Sequence, residues 1–163
     1  MKKGNPTVRV VIGIILAIMI VFLAYTIYCA VYKVSTKSNF AYLGDYTTYI
    51  NLEDNLSPDY SKDDLIIGKK ETYYTTGQVV IYEYESSYRL GYVVKTSTSK
   101  YYLGNSLNES SDKLIITTQD KIVGSAYKRI PAIGGLFKLL TSGASLIITA
   151  VLFILFIMFA KER

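Results

Sequence analysis

The sequence contains no histidine, no tryptophan and a single cysteine. Without His, no Ser-His pair can exist anywhere in the chain, and no Cys/His metal pattern can be written. One Cys permits no internal disulfide. Cys29 lies inside a hydrophobic run with Thr26, Ile27 and Tyr28 before it and no small residue, which argues against a lipid-modified Cys and for a packing role. A Gly-rich phosphate loop, an internal repeat, a long low-complexity tract and a long block of like charge are also absent. Asp54, Asp59, Asp63 and Asp64 miss EF-hand spacing and read as a solvated acidic turn. Asp63 and Asp64 are adjacent, so on a strand they would point to opposite faces and not form an acid-base pair. The expectation is a protein with no metal and no cofactor.

What the chain does have is hydrophobicity, and it is concentrated at the two ends. Val10 to Tyr32 and Leu139 to Ala160 are uncharged runs of 23 and 22 residues. At about 1.5 Å per residue each reaches roughly 33 to 35 Å, enough to cross a hydrocarbon core of about 30 Å. The first run is longer than the apolar region of a signal peptide, and no small-x-small cleavage site follows it, so it is expected to remain as a span.

The formal net charge of +5 invites a nucleic-acid partner, but its distribution argues against one. Residues 33–138 carry 13 Lys/Arg against 12 Asp/Glu, so the excess sits at the ends, in Lys2, Lys3, Arg9, Lys161 and Arg163. Positive residues outside both runs place both termini in the cytoplasm by the positive-inside rule, although Lys33 and Lys37 weaken the asymmetry. The expected organisation is a cytoplasmic 1–9, a span over 10–32, an extracytoplasmic domain over 33–138, a second span over 139–160 and a cytoplasmic 161–163.

Between the spans the hydrophobic period changes to alternation. Strands are predicted at Thr47 to Ile50, Asp64 to Ile67, Gln78 to Tyr84, Tyr88 to Lys95, Lys100 to Leu103, Lys113 to Thr118 and Lys121 to Tyr127. Polar spacers at Glu85 to Ser87, Thr96 to Ser99 and Gly104 to Asp112 suit turns and loops. The middle segment therefore reads as an all-β domain. Sixteen Tyr could stack on bases or sugars, but most lie in the strand pattern or near a membrane boundary, where amphipathic rings fit half-buried surfaces and headgroups. Asn108-Glu109-Ser110 is a formal glycosylation sequon.

Several stretches from the second strand onward form an ordered series: LSPDYSKDDLIIGKK (Leu56 to Lys70), YYTTGQVVIYEY (Tyr73 to Tyr84), YRL or YVV, YYLGNSLN (Tyr101 to Asn108) and DKIVGSAYKRIPAIGGL (Asp120 to Leu136). This series resembles type I signal peptidases of the kind found in the endoplasmic reticulum, archaea and sporulating bacteria. Those follow the order SGSMEP, GDLV, GDIV, HRI, KGDAN, DIVGK and IPYIG. Pro58 and Asp64 match the first two motifs without a gap, and Gly77, Gly104, Val123-Gly124 and Ile130-Pro131 match later ones. The resemblance covers about half the chain, residues 55–136. It implies a bent antiparallel β body between two membrane helices, with a groove at the membrane surface that takes an extended precursor segment by strand addition. Leu56, Pro58, Asp64 and Gly104 would then belong to that groove.

The family's catalytic positions hold other residues here. Asn55 stands at the Ser nucleophile, Leu56 at the Met and Ser57 at the Glu. A carboxamide cannot be activated as an alkoxide can, because its nitrogen lone pair is delocalised into the carbonyl. The base position falls on Tyr88, or on Tyr92 with a shifted register; Tyr is a poor base near neutrality and the neighbouring Arg89 does not deprotonate there. Lys95 and Lys100 match no motif position. The acid position is Asn105, with Leu103 where the family has Lys. The resemblance therefore implies a protein that keeps the groove and lacks the chemistry. Its partners would be the membrane and either precursors with signal peptides or a secretion or pilus assembly. The alternatives are an active peptidase using Ser57 with a Lys base, and a structural adaptor.

Overall fold

The computed structural model describes residues 6–141 and 151. Helix α1 runs from Pro6 to Thr36. Pro6 opens it, at a place where a missing N–H is harmless. Val10, Ile18, Val21, Val31 and Val34 are all exposed, so the helix is apolar around its circumference instead of along one stripe. Its segment Gly13–Thr36 is long and apolar enough to cross a membrane by length and composition. The helix passes four residues beyond the expected boundary at Tyr32, because Lys33 to Thr36 keep helical geometry and Thr36 Oγ1 donates to Tyr32 O at 2.7 Å. Lys37, with φ of 52°, takes the left-handed conformation that ends it.

Residues Asn39–Lys138 form a separate compact unit. Its strands are β1 (Tyr46–Ile50), β2 (Leu65–Lys69), β3 (Val79–Tyr84), β4 (Ser87–Ser97), β5 (Lys100–Gly104), β6 (Ile115–Thr117) and β7 (Ile122–Ile130). They make one antiparallel sheet in the order β1-β2-β7-β3-β4-β5-β6. All seven runs expected from alternation and β-branched content are strands, and the protein is mainly β with one N-terminal apolar helix. Helix α2 (Gly134–Thr141) starts five residues before the expected second span. Apart from 139–141 and 151, the run 139–160 lies outside the described residues.

Strand β3 explains why VVIY reads as unbroken apolar sequence. Val79 and Ile81 pack into one core with Phe40, Tyr49, Leu56, Ile66, Leu90 and Val123. Val80 and Tyr82 point the other way, into a second core with Tyr74, Val93, Tyr101, Leu103 and Ile122. A central strand covered on both faces needs apolar side chains at both parities. β3 joins β4 through Glu85 and Ser86, both at positive φ, the geometry of a two-residue hairpin turn that follows the strand twist. Register shifts in the β2–β7, β3–β7 and β4–β5 ladders mark bulges, which bend strands locally.

Two motif glycines have steric reasons. A Cβ on Gly124 would lie 2.8 Å from Lys69 O, where β7 meets the end of β2. A Cβ on Gly134 would lie 2.6 Å from Asp63 O, the carbonyl that accepts a hydrogen bond from Gly134 N at 2.8 Å.

Candidate functional site

The candidate site is built on the segment between β1 and β2, which leaves the sheet at Asn51 and returns at Asp64. Asn51 is fully buried and closes this loop: its Nδ2 donates to Glu53 O at 2.7 Å and Ser61 O at 3.0 Å. Its backbone N donates to Asp64 O and its carbonyl accepts from Asp63 N. A surface loop whose ends are joined in this way holds its tip in one place. Leu56 is 3% exposed and anchors the tip in the first core, while Ser57 and Pro58 beside it are exposed.

The four aspartates do separate jobs. Asp54 Oδ1 accepts from Lys62 N at 2.6 Å, and Asp59 Oδ2 accepts from the Tyr92 hydroxyl at 2.5 Å. Asp63 acts through its backbone. Asp64 departs from the expectation of a solvated turn: it is 2% exposed, because Ser61 N and Ala132 N donate to its two oxygens and Arg129 Nε lies 2.6 Å from Oδ2. Its carboxylate therefore braces the loop from inside and does not line an open surface. Arg129 also donates from Nη1 to Pro58 O at 3.0 Å and Asp59 O at 2.5 Å, so one guanidinium ties β7 to the loop.

Asn55 reaches β4. Its Nδ2 donates to Leu90 O at 2.9 Å and to Asn105 Oδ1 at 3.1 Å. The pairing of β5 with β4 runs only as far as Tyr92↔Gly104, so Leu90 lies past the end of β5 and Asn55 fills the place a continuing strand would take. Gly104 is buried immediately before Asn105, whose backbone N donates to the Glu109 carboxylate. Asn55 Oδ1 is buried without a hydrogen-bond partner among the described residues. Among the described residues, β4 has no strand partner on this side from Ser87 to Gly91.

The positions aligned with nucleophile and acid, Asn55 and Asn105, are thus in contact. The position aligned with the base is held elsewhere. The Tyr88 ring stands edge-on to Phe40 at 4.6 Å, its hydroxyl accepts from Asn39 Nδ2 at 2.9 Å, and its carbonyl accepts from the Tyr49 hydroxyl at 2.7 Å. Tyr92, the shifted alternative, is engaged with Asp59. That hydrogen bond first, and desolvation second, push its phenol up to about 12. Glu53 Oε1 lies 2.9 Å from Arg89 Nε, and the guanidinium covers the Tyr84 ring at 4.8 Å. In the Glu53–Arg89 and Asp64–Arg129 pairs the Nε approaches at ion-pair distance but off the hydrogen-bonding angle.

Two carboxamides joined to each other and to a backbone carbonyl hold no ionisable group for proton transfer. They can hold a main chain: Asn55 Oδ1 is an acceptor with no donor among the described residues, beside a stretch of β4 that no described strand pairs. Burial, with Glu53 as a lesser contribution, raises the Tyr49 phenol to about 12, so the group at Tyr88 O is a neutral donor. Asn51, Glu53, Asn39 and Arg129 escaped the sequence reading. Only Arg129 carried a local signal, two residues before the Pro131 motif. No protein-family model matches the chain, and no curated protein matches it.

Proposed function

We propose that this chain is a signal-peptidase-like membrane protein without peptidase activity. It binds extended segments of secreted or surface-protein precursors, or supports a secretion or pilus assembly, at the cell membrane. The observation that carries the proposal is the Asn55–Asn105 contact. Two positions singled out by motif order, distant in sequence, meet beside an unpaired stretch of β4 and both carry amides. A catalytic centre in that place would need an ionisable nucleophile-base pair. The amides suit peptide main chain, as acceptor and donor beside a strand edge. In this reading both termini are cytoplasmic, the second hydrophobic run is a span, and the β unit is extracytoplasmic.

The test uses the full chain in detergent with a signal-peptide substrate. No cleavage is expected, and a photoreactive residue at position 55 should crosslink the substrate. Sustained cleavage that is lost in Ser57→Ala would replace this proposal with an active enzyme. Absence of crosslinking from position 55 would replace it with a structural adaptor.

A further inference from the structure

Strand β7 has two unlike halves. As far as Ser125 it pairs with β3, through Tyr82↔Ile122, Ile81↔Gly124 and Val80↔Ser125. β3 then leaves it, while β2 continues alongside to Leu65↔Ile130. Ala126 to Lys128 therefore keep one side with no strand among the described residues. The ladder with β2 also slips here: Gly68 faces Ala126 and Ile67 faces Lys128, which leaves Tyr127 as a bulge paired to neither neighbour. Bulges re-aim side chains. Tyr127 is 62% exposed, with its ring 5.5 Å from that of Tyr46.

A cleft of about 570 Å³ opens where β3 departs, between this edge, the Val79 and Tyr92 positions of the β3–β4 hairpin, and the Asp59–Tyr60 turn. That volume lies within the range of ligand sites. Among the described residues the only cation lining it is Arg129, and Arg129 is already committed to Asp64 and to the Pro58 and Asp59 carbonyls. Two carboxylates line it. Asp59 uses Oδ2 for the Tyr92 hydroxyl and Glu71 uses Oε2 for Gln78 Nε2 at 3.1 Å, so each retains an oxygen. The uncompensated charge is negative and the walls include three tyrosine rings, Tyr60, Tyr92 and Tyr127. Carboxylate oxygens together with aromatic faces favour an ammonium or guanidinium.

We propose that this cleft docks an extended basic polypeptide segment as an added strand on β7, with a Lys or Arg side chain seated between Asp59 and Glu71. Main-chain hydrogen bonds to Ala126–Lys128 give the affinity, and the acidic, tyrosine-walled pocket gives the selectivity. The site is formed by different residues from the proposed Asn55 site and does not rest on the peptidase likeness.

The experiment titrates full-length protein in detergent with fluorescent, β-prone peptides that differ at one central residue: Lys, its uncharged isostere norleucine, or Glu. The Lys peptide should bind about tenfold or more tighter than norleucine, the scale of one charge-assisted contact, and the Glu peptide weakest. Asp59→Asn and Glu71→Gln, singly and together, should erase the Lys preference over norleucine; both are isosteric changes outside the core, and circular dichroism checks folding. N-methylation of the peptide main chain should abolish binding of every peptide. Equal affinity for Lys and norleucine, or a preference that survives the double variant, overturns the proposal. Crosslinking from position 55 reads the proposed Asn55 site independently, so capture there without a Lys preference here would sink this inference alone.

Discussion

Asn55 and Asn105 are separated by 50 residues of sequence, and their side-chain amides meet, Nδ2 of the first donating to Oδ1 of the second at 3.1 Å. The contact fastens the β1–β2 loop to the residue that follows β5, while the second N–H of the same amide caps Leu90 O. A double-mutant cycle with Asn55→Ala and Asn105→Ala, read by chemical denaturation, should give a coupling of about 0.5–1.5 kcal/mol. Strict additivity would mean that the contact does not form. Asn55→Ser combined with Asn105→Asp should still not cleave a signal peptide, because a carboxylate is a weak base for a serine hydroxyl and the position aligned with the base holds Tyr88, a poor base near neutrality.

Asp64 is a buried carboxylate of the β unit. It accepts two backbone N–H groups and pairs with Arg129 while almost wholly buried. Asp64→Ala should cost about 1–3 kcal/mol, since it leaves the Ser61 and Ala132 N–H groups without their acceptor and takes the partner from a half-buried Arg129. Asp64→Asn should cost less, because one acceptor oxygen remains. Denaturant midpoints compare the two, and a loss below about 1 kcal/mol for Asp64→Ala would contradict the bracing role of this carboxylate.

Alkaline stability follows from the tyrosines. Burial raises Tyr82 from its usual 10.0 to about 12, as it does Tyr49. A folded-state pKa above the unfolded one means that the folded protein holds the proton longer. Stability is therefore full below about pH 10 and is lost as pH rises from there towards about 12. Denaturant midpoints across that window should fall, and Tyr82→Phe should flatten part of the slope. A slope unchanged in Tyr82→Phe would mean that this phenol is not the titrating group.

The glycines make a paired prediction. Gly124→Ala places a methyl 2.8 Å from a backbone carbonyl and should destabilise by about 1–3 kcal/mol. Gly135, inside α2, has open space around its would-be Cβ, and Gly135→Ala should be neutral or stabilise by up to about 1 kcal/mol. Thermal unfolding of the two variants measures both effects; equal shifts would show that the close approach at Gly124 is not real.

Ile81→Ala should destabilise by about 2–5 kcal/mol, because Ile81 is fully buried at the centre of the first core and a cavity would remain. Urea denaturation reads it directly, and a loss under about 1 kcal/mol would mean that β3 is not covered on that face.

The elements of this protein were legible before its structure. Alternation and β-branched content located all seven strands to within a few residues, because a side chain on a pleat reports its own face. Hydropathy located the N-terminal helix, but not its end, since Lys33 to Thr36 stay helical for backbone reasons that hydropathy does not weigh. Asp64 was misjudged for a related cause. Next to Asp63 it looks like part of a solvated turn, and nothing local announces that Arg129, 65 positions away, will pair with it.

By itself, then, the sequence determined a histidine-free chain with two long apolar runs, the first of them a helix and seven strands following it among the described residues, and with amides at positions 55 and 105. Those properties depend on residue type and local period alone. The tertiary structure decided the strand order, the meeting of Asn55 with Asn105, the burial of Asp64 and the parting of β3 from β7 after Ser125. Each depends on which distant backbones come within hydrogen-bonding reach, a matter of sheet register that no single segment encodes.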